Sequence, residues 1–187
     1  MKATTALFAC ITLLICIPVE NELPDFRRSK VSYSDFETLV RKVKKHRKKR
    51  LIDFNQFLSK SKEKDVIILD TRSKDMYDKK HIKGALHLNF SDFTQDNLAR
   101  IIPSKNTKIL IYCNNNFQGD QIHFMTKSVL PELETEKEIT LALNIPTYIN
   151  LYGYGYKNVY ELSELLFPLD QRVVYEGSSI QKTISNN

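Results

Sequence analysis

The segment KILIYCNNNFQG, residues 108–119, combines a strand pattern with a reactive residue. Its apolar run, 109–112, is continuous rather than alternating, which is typical of a strand buried on both faces of a parallel sheet. Cys113 stands at the exit of this strand, and ligand sites gather at the carboxyl ends of parallel strands. The Asn-rich loop that follows, 114–119, contains residues that tolerate unusual backbone angles. The segment therefore predicts an α/β domain with a functional group at Cys113.

A second continuous apolar run, at residues 66–69, predicts another buried strand, and residues 158–162 predict a third strand. Residues 139–145 alternate apolar with polar or small side chains, which favours a strand while leaving a helix open. Segments with helical spacing or helix-start signals lie between the runs: 31–51, 54–58, 91–100, 120–130 and 146–155. The first has Ser34 and Glu37 as a capping box. Strands that alternate with helices imply a single domain, in which helices cover both faces of a parallel sheet.

The N-terminal residues differ in composition from the rest of the chain. Lys2 precedes a nearly uncharged apolar run, 6–19, and this order is typical of a secretory signal peptide. The run is shorter than the roughly 20 residues of a spanning helix, so we expect a secreted or periplasmic protein rather than a membrane-tethered one. Cys10 and Cys16 leave open a lipid-anchored form that begins at an acylated cysteine. The predicted division is signal peptide, domain and C-terminal tail at 1–19, 31–166 and 167–187.

Cys113 is the one of three cysteines that stays after removal of the signal peptide. It then has no partner for an internal disulfide, so it is either a buried apolar side chain or a free reactive thiol. The predicted order of strand, loop and helix suits a reactive thiol, because loop N–H groups and the helix at 120–130 would point their positive ends at the sulfur; the residues by themselves leave both interpretations open. Both effects lower a thiol pKa below its free value of roughly 8.5. This chemistry calls for no metal and no cofactor.

Four segments, in this order along the chain, resemble the rhodanese (sulfurtransferase) domain. They are ILDTR (68–72), HIKGALHLN (81–89), ILIYC (109–113) and GYKNVY (155–160). The resemblance implies a doubly wound open parallel sheet flanked by helices on both faces. It also implies that Cys113 accepts a sulfane sulfur from a small donor and passes it, through a persulfide, to a thiol or cyanide-like acceptor.

The same resemblance assigns roles to two groups of residues around Cys113. Asp70 and Arg72 are expected to be structural supports of the active-site region. The loop after Cys113 is expected to bind the substrate, through Asn114, Asn115, Asn116, Phe117, Gln118 and Gly119.

The loop 114–119 departs from the pattern of active rhodaneses, which usually carry an Arg or Lys there to hold an anionic donor. Its Asn side chains and amides lack that charge, so the sequence favours a neutral or peptidic donor, or a persulfide exchanged with a partner protein. The acidic residues 132–138 are expected to cover the site. A catalytically weak binding module, which uses the surface around Cys113 and the Tyr-rich segment 148–160, is the alternative. A phosphatase is disfavoured because the nearest cation after the loop is Lys127.

A basic cluster runs from Lys44 to Arg50, within a chain of net charge +6. A solvated helix end is the simpler interpretation of such a run. Weak contact of the cluster with an anionic surface is the alternative. Nucleic acid is not an expected partner of an exported protein.

Overall fold

Helices and strands alternate along the part of the chain that the computed structural model describes, residues 29–130, 137–167 and 169–180. The helices are α1 (Tyr33–Lys48), α2 (Phe54–Ser61), α3 (Lys74–Lys79), α4 (Gln95–Ile101) and α5 (Asn144–Gly153). The strands are β1 (Leu51–Ile52), β2 (Val66–Asp70), β3 (His81–Ile82), β4 (Ala85–His87), β5 (Lys108–Tyr112), β6 (Ser128–Val129), β7 (Ile139–Thr140), β8 (Val159–Leu162) and β9 (Tyr175–Glu176). The described residues from Tyr33 onward form one compact unit. The predicted signal peptide lies outside the described residues.

Five strands form a central sheet in the order β1-β8-β5-β2-β4, and every pairing in it is parallel. The strand that ends at Cys113, β5, is the middle one. Its last residue, Tyr112, pairs with Asp70 on one side, and Ile111 pairs with Glu161 on the other. The carboxyl ends of β2, β5 and β8 therefore meet at one edge of the sheet.

Apolar side chains cover both faces of this sheet, as expected for parallel strands. On one face Leu110 and Tyr112 pack with Phe54 and Phe57 of α2. On the other face lie the alternate residues Ile109 and Ile111, packed with side chains of α1, α4 and α5: Val43, Leu98, Tyr148, Ile149 and Leu151. The predicted fold class, an α/β domain with a parallel sheet flanked by helices, is confirmed.

The helix predicted at 120–130 is wrong. Asp120 instead accepts a hydrogen bond from the backbone N–H of His123, at 3.1 Å, and the chain turns there. Phe124 is fully buried and stacks on Phe117 with ring centroids 4.0 Å apart, so one aromatic residue anchors the segment in place of a helical face. The chain then enters β6, which pairs with β7 as an antiparallel hairpin.

Three other boundaries differ from the predictions. Helix α1 begins at Tyr33, so Ser34 lies inside its first turn, and it ends at Lys48 because the next residues join the sheet as β1. The helix predicted from Ser91 begins at Gln95, where Thr94 accepts a hydrogen bond from the Asn97 N–H. The strand predicted at 139–145 covers only β7, since α5 begins before Pro146.

The predicted C-terminal tail, 167–187, contributes β9, which pairs antiparallel with β3 outside the central sheet. Val173, just before β9, is buried in the core. The domain boundary at 166 stays a prediction. Among the described helices, none combines the length and the apolar character needed to cross a membrane.

Candidate active site

Cys113 lies directly after β5, and its side chain is only 1% exposed. The backbone N–H of Leu143 donates to its sulfur at 3.3 Å. Leu143 immediately precedes α5, so the positive end of a ten-residue helix is directed at the sulfur. The predicted helix end is therefore present, but it comes from α5 rather than from residues 120–130.

The charge state of Cys113 differs from the prediction. Burial raises the pKa of the thiol, and the backbone N–H groups of Leu143 and Asn114, which lower that pKa, do not compensate. At neutral pH the group is therefore a protonated thiol in this conformation. The expected low pKa is wrong here because the sequence pattern indicates N–H donors but not how completely water is excluded.

The first residues after Cys113 form a tight 3-10 turn, Asn114–Asn116, which we call the Cys113 turn. Asn116 N–H donates to the Cys113 carbonyl at 3.1 Å, and Phe117 N–H donates to the Asn114 carbonyl at 3.0 Å. Gln118 N–H donates to a carbonyl outside the loop, at 2.8 Å. These three amides thus donate to carbonyl groups of the chain.

The Asn116 side chain connects the Cys113 turn to its surroundings through four hydrogen bonds. Its Oδ1 accepts from the Cys113 N–H at 2.9 Å and from Asn144 Nδ2 at 3.1 Å. Its Nδ2 donates to the carbonyls of Leu162 and Glu164, at 2.9 and 3.2 Å. A buried amide with donors and acceptors all satisfied holds the turn closed over the thiol.

The other residues of the predicted substrate loop have different surroundings. Asn115 is tied to the β6–β7 hairpin, since its Nδ2 donates to Thr140 Oγ1 at 2.7 Å. Phe117 is buried in the aromatic core. Gly119 has φ of +85°, a left-handed conformation that favours glycine. Asn114 is 4% exposed, and within the described part of the chain its Oδ1 has no hydrogen-bond partner.

Asp70 and Arg72 form a buried ion pair beside this site. Arg72 Nη2 donates to Asp70 Oδ2 at 2.7 Å, and the Tyr112 hydroxyl donates to the same oxygen at 2.5 Å. Arg72 also donates to the backbone carbonyls of Lys80 and His123, at 2.7 and 2.8 Å. The pair therefore ties the end of β2 to β5 and to the segment after the Cys loop, which is a supporting geometry.

A cavity of about 200 Å³, with both polar and apolar side chains in its walls, lies beside the Cys113 turn. Asn115 and Asn116 line it, together with Ala142 and Asn144, which flank the sulfur-binding residue Leu143. The cavity therefore borders residues that surround Cys113.

Arg47 of α1 also lines this cavity, and the sequence interpretation missed it. Its Nε and Nη2 each donate at 2.5 Å to the carboxylate of Glu161, which is buried at 3% exposure. Arg47 was missed because it lies in the basic cluster 44–50, which was interpreted as a whole as a solvated helix end. Glu161 could have revealed the role of Arg47, because a carboxylate within a strand of a parallel sheet needs a cationic partner when it is buried.

The acidic stretch expected to cover the site falls mostly outside the described residues. Its described end, Lys137 and Glu138, lines a separate cavity together with Asn115 and Phe117. Across residues 29–130, 137–167 and 169–180, no three His, Cys, Asp or Glu side chains converge as metal ligands.

Comparison with known proteins places this geometry in a family. A family model described as a rhodanese-like domain matches residues 53–164, which is more than half of the chain. No protein in a search of curated proteins matches the chain. Among solved structures, a rhodanese with anions from E. coli is similar with 16% identity, covering 60% of this chain and 99% of that one at a TM-score of 0.37. A Bacillus halodurans protein is 20% identical, covering 67% and 73% at a TM-score of 0.40.

An Anabaena protein is also similar, with 21% identity, coverage of 66% of this chain and 79% of that one, and a TM-score of 0.37. The family model spans α2 to the end of β8 and includes Asp70, Arg72 and Cys113. On the match of that model, the chain belongs to the rhodanese-like domain family.

Proposed function

We propose that the domain is a sulfurtransferase that carries a sulfane sulfur as a persulfide on Cys113. The observation that carries the proposal is the position of the thiol at the carboxyl end of the central strand, with the Leu143 N–H of α5 donating to its sulfur. A helix N-terminus stabilises negative charge. It therefore favours the thiolate and the anionic outer sulfur of a persulfide over their neutral forms.

The reaction has two displacement steps. Cys113 loses its proton, and the thiolate attacks the outer sulfur of a donor R–S–SH. A bond forms between Sγ and that sulfur, the S–S bond of the donor breaks, and the donor leaves as the thiolate R–S⁻, which takes up the released proton. An acceptor thiolate then attacks the outer sulfur and releases the Cys113 thiolate, so both steps exchange one S–S bond for another.

The closed Cys113 turn sets a requirement for this chemistry. Because the thiol is buried and its pKa is raised, donor binding has to loosen the contacts of Asn116 before attack. Opening admits water and frees loop amides, and both changes lower the thiol pKa. The absence of a cation in residues 114–119 disfavours thiosulfate, a dianion, and favours a persulfide donor.

A rhodanese-fold binding module is the second candidate. The specific observation in its favour is that Asn116, Phe117 and Gln118 donate their N–H groups to carbonyls of the chain, which leaves few amides for a bound sulfur. In this case the surface around the Cys113 turn would hold a partner without turnover. For either function we place the protein outside the cytoplasm, on the pattern of residues 1–19.

Mass spectrometry of the full chain separates the two functions. We expect incubation with glutathione persulfide to add one sulfur to the Cys113 peptide, with thiosulfate and 3-mercaptopyruvate less effective. In a chain produced without removal of residues 1–19, peptides that contain Cys10 and Cys16 serve as internal controls for unspecific thiol chemistry. Cys113→Ser should abolish transfer to an acceptor thiol while keeping its circular dichroism spectrum. If no donor adds sulfur to Cys113, the sulfurtransferase proposal fails and the binding module becomes the better-supported function.

A further inference from the structure

The cavity beside the Cys113 turn adjoins a second cavity. The two share Arg47, Leu51 and Ile145 in their walls. The second cavity measures about 400 Å³ and is lined mainly by apolar side chains of α1 and α5, including Val40 and Ile149. We call the combined surface the Arg47 groove; its walls are mixed beside the Cys113 turn and mainly apolar at the far end.

The apolar end exists because α1 and α5 pack closely at one end only. A Cβ atom at Gly153, the last residue of α5, would lie 3.0 Å from Leu39 Cδ2, so the helices nearly touch there. Toward the start of α5 a cavity opens instead, between Ile145 and the C-terminal half of α1. Leu51 and Ile145 are 37% and 41% exposed, which leaves apolar surface uncovered at the junction.

Cations border the apolar end of the Arg47 groove. Lys44 and Lys48 line it and lie one helical turn apart on α1. No carboxylate of the described residues forms an ion pair with either lysine, whereas the charge of Arg47 is offset by Glu161. The groove is therefore neutral near Cys113 and positive at its apolar end.

We propose that the Arg47 groove binds an acidic segment of a partner protein, which presents a cysteine at the Cys113 turn and an apolar side chain between α1 and α5. The proposal rests on the proposed sulfurtransfer and names the class of its protein acceptor. Charge complementarity selects the acidic segment, and the apolar cavity selects the side chain. An inorganic donor such as thiosulfate has no apolar part to fill this cavity. In the transfer, the peptide thiolate attacks the outer sulfur of the Cys113 persulfide, and the Cys113 thiolate leaves.

Single-turnover transfer tests the proposal. The full chain is loaded with inorganic polysulfide, and persulfide decay is followed with acetyl-Cys-Gly-Glu-Leu-Glu-amide, with the same peptide carrying Lys for Glu, and with dithiothreitol. We expect the acidic peptide to react about tenfold faster than the basic one, which corresponds to ~1.4 kcal/mol. Added salt should reduce this ratio, because it screens the charges of the peptide and the groove. Dithiothreitol should react at similar rates with every variant.

The same helix provides a matched control. Lys44→Glu/Lys48→Glu should remove the preference for the acidic peptide. Lys45→Glu/Lys49→Glu changes the charge equally, but these residues line a different, basic depression around Tyr160, and we expect transfer within about twofold of the unmodified chain, given the small effect of remote charges at physiological salt. Equal losses in both double variants, or no preference between the peptides, would overturn the proposal while leaving the sulfurtransferase intact.

Equilibrium binding keeps the two proposals separable. Fluorescence anisotropy of the labelled acidic peptide, with Ser in place of Cys, reports the groove without any transfer. If polysulfide loads no sulfur on Cys113, the proposed function fails. In that outcome, binding that is weakened by Lys44→Glu/Lys48→Glu and not by Lys45→Glu/Lys49→Glu still supports the groove, and equal binding refutes it.

Discussion

The Asp70–Arg72 pair and the Cys113 turn occupy neighbouring positions at the same edge of the sheet, but the buried groups are charged in the first and neutral in the second. Asp70 and Tyr112 pair directly across β2 and β5, and Cys113 follows Tyr112. All of these side chains are almost completely buried. The first region holds an ionised pair, and the second holds a protonated thiol.

Hydrogen-bond partners account for this difference. Burial alone would lower the pKa of Arg72, but the hydrogen bonds and the negative charge of Asp70 raise it above its ordinary value. Burial raises the pKa of the Cys113 thiol, and the N–H groups of Leu143 and Asn114 offset only part of that effect. Partner number and charge, rather than depth, decide which buried group stays ionised.

The largest expected effect is on the Asp70–Arg72 pair. Arg72→Ala leaves the buried Asp70 carboxylate without its cation, and removing one partner of a buried pair costs about 3–5 kcal/mol. We expect this loss in the free energy of unfolding from urea titration. Lys74→Ala, which breaks an exposed pair with Asp78, serves as the control and should cost less than about 1 kcal/mol. Similar losses in the two variants would contradict the distinction.

A smaller effect is expected from opening the Cys113 turn. Asn116→Ala removes four hydrogen bonds and leaves buried groups unpaired, which we expect to cost about 1–3 kcal/mol. The rate of Cys113 alkylation by iodoacetamide should rise, because the turn no longer covers the sulfur. Asn115→Ala is the matched control, since it detaches the hairpin but keeps the turn. A rate that rises as much in the control would assign the cover to the hairpin.

The smallest expected effect is the pH dependence of stability due to Cys113. Its pKa is raised in the folded state, so its contribution to stability is present below the ordinary thiol pKa, about 8.5, and is lost as pH rises through the folded value. Cys113→Ala should therefore flatten the decline in unfolding free energy above that pH. Alkylation of Cys113 should also show a higher pH midpoint in the folded chain than in urea. A lower folded midpoint would mean that the N–H groups of Leu143 and Asn114 outweigh burial.

The sequence predicted the sheet well and the covering segments poorly. Strands β2 and β5 contain continuous apolar runs, at 66–69 and 109–112, and because parallel strands are buried on both faces, this pattern reports their environment directly. The segment after Gly119 does not carry such a pattern. Phe124 anchors this segment by stacking on Phe117, seven residues earlier in the chain. The stacking depends on a turn at Asp120, and helical spacing does not indicate such a turn.

The residues of the candidate site also fall into a group that the sequence predicted and a group that it missed. Cys113, Asp70 and Arg72 were found because they end strands, and the topology brings strand ends together. Leu143, Arg47 and Glu161 were missed, since each contributes through a partner far away in the chain. A backbone N–H or a lysine-rich helix looks the same in sequence whether or not it meets such a partner.

The sequence by itself determined that this is an α/β domain of the rhodanese-like family with a cysteine at the end of a buried strand, because apolar runs and the order of motifs can be recognised without knowing the contacts between distant segments. Only the tertiary structure decided the state of that cysteine. Desolvation, the N–H of Leu143 and the four hydrogen bonds of Asn116 depend on which distant segments converge on the sulfur. The tertiary structure also decided that Arg47 borders the site, since only the packing of α1 against β8 and α5 joins the basic helix to Cys113.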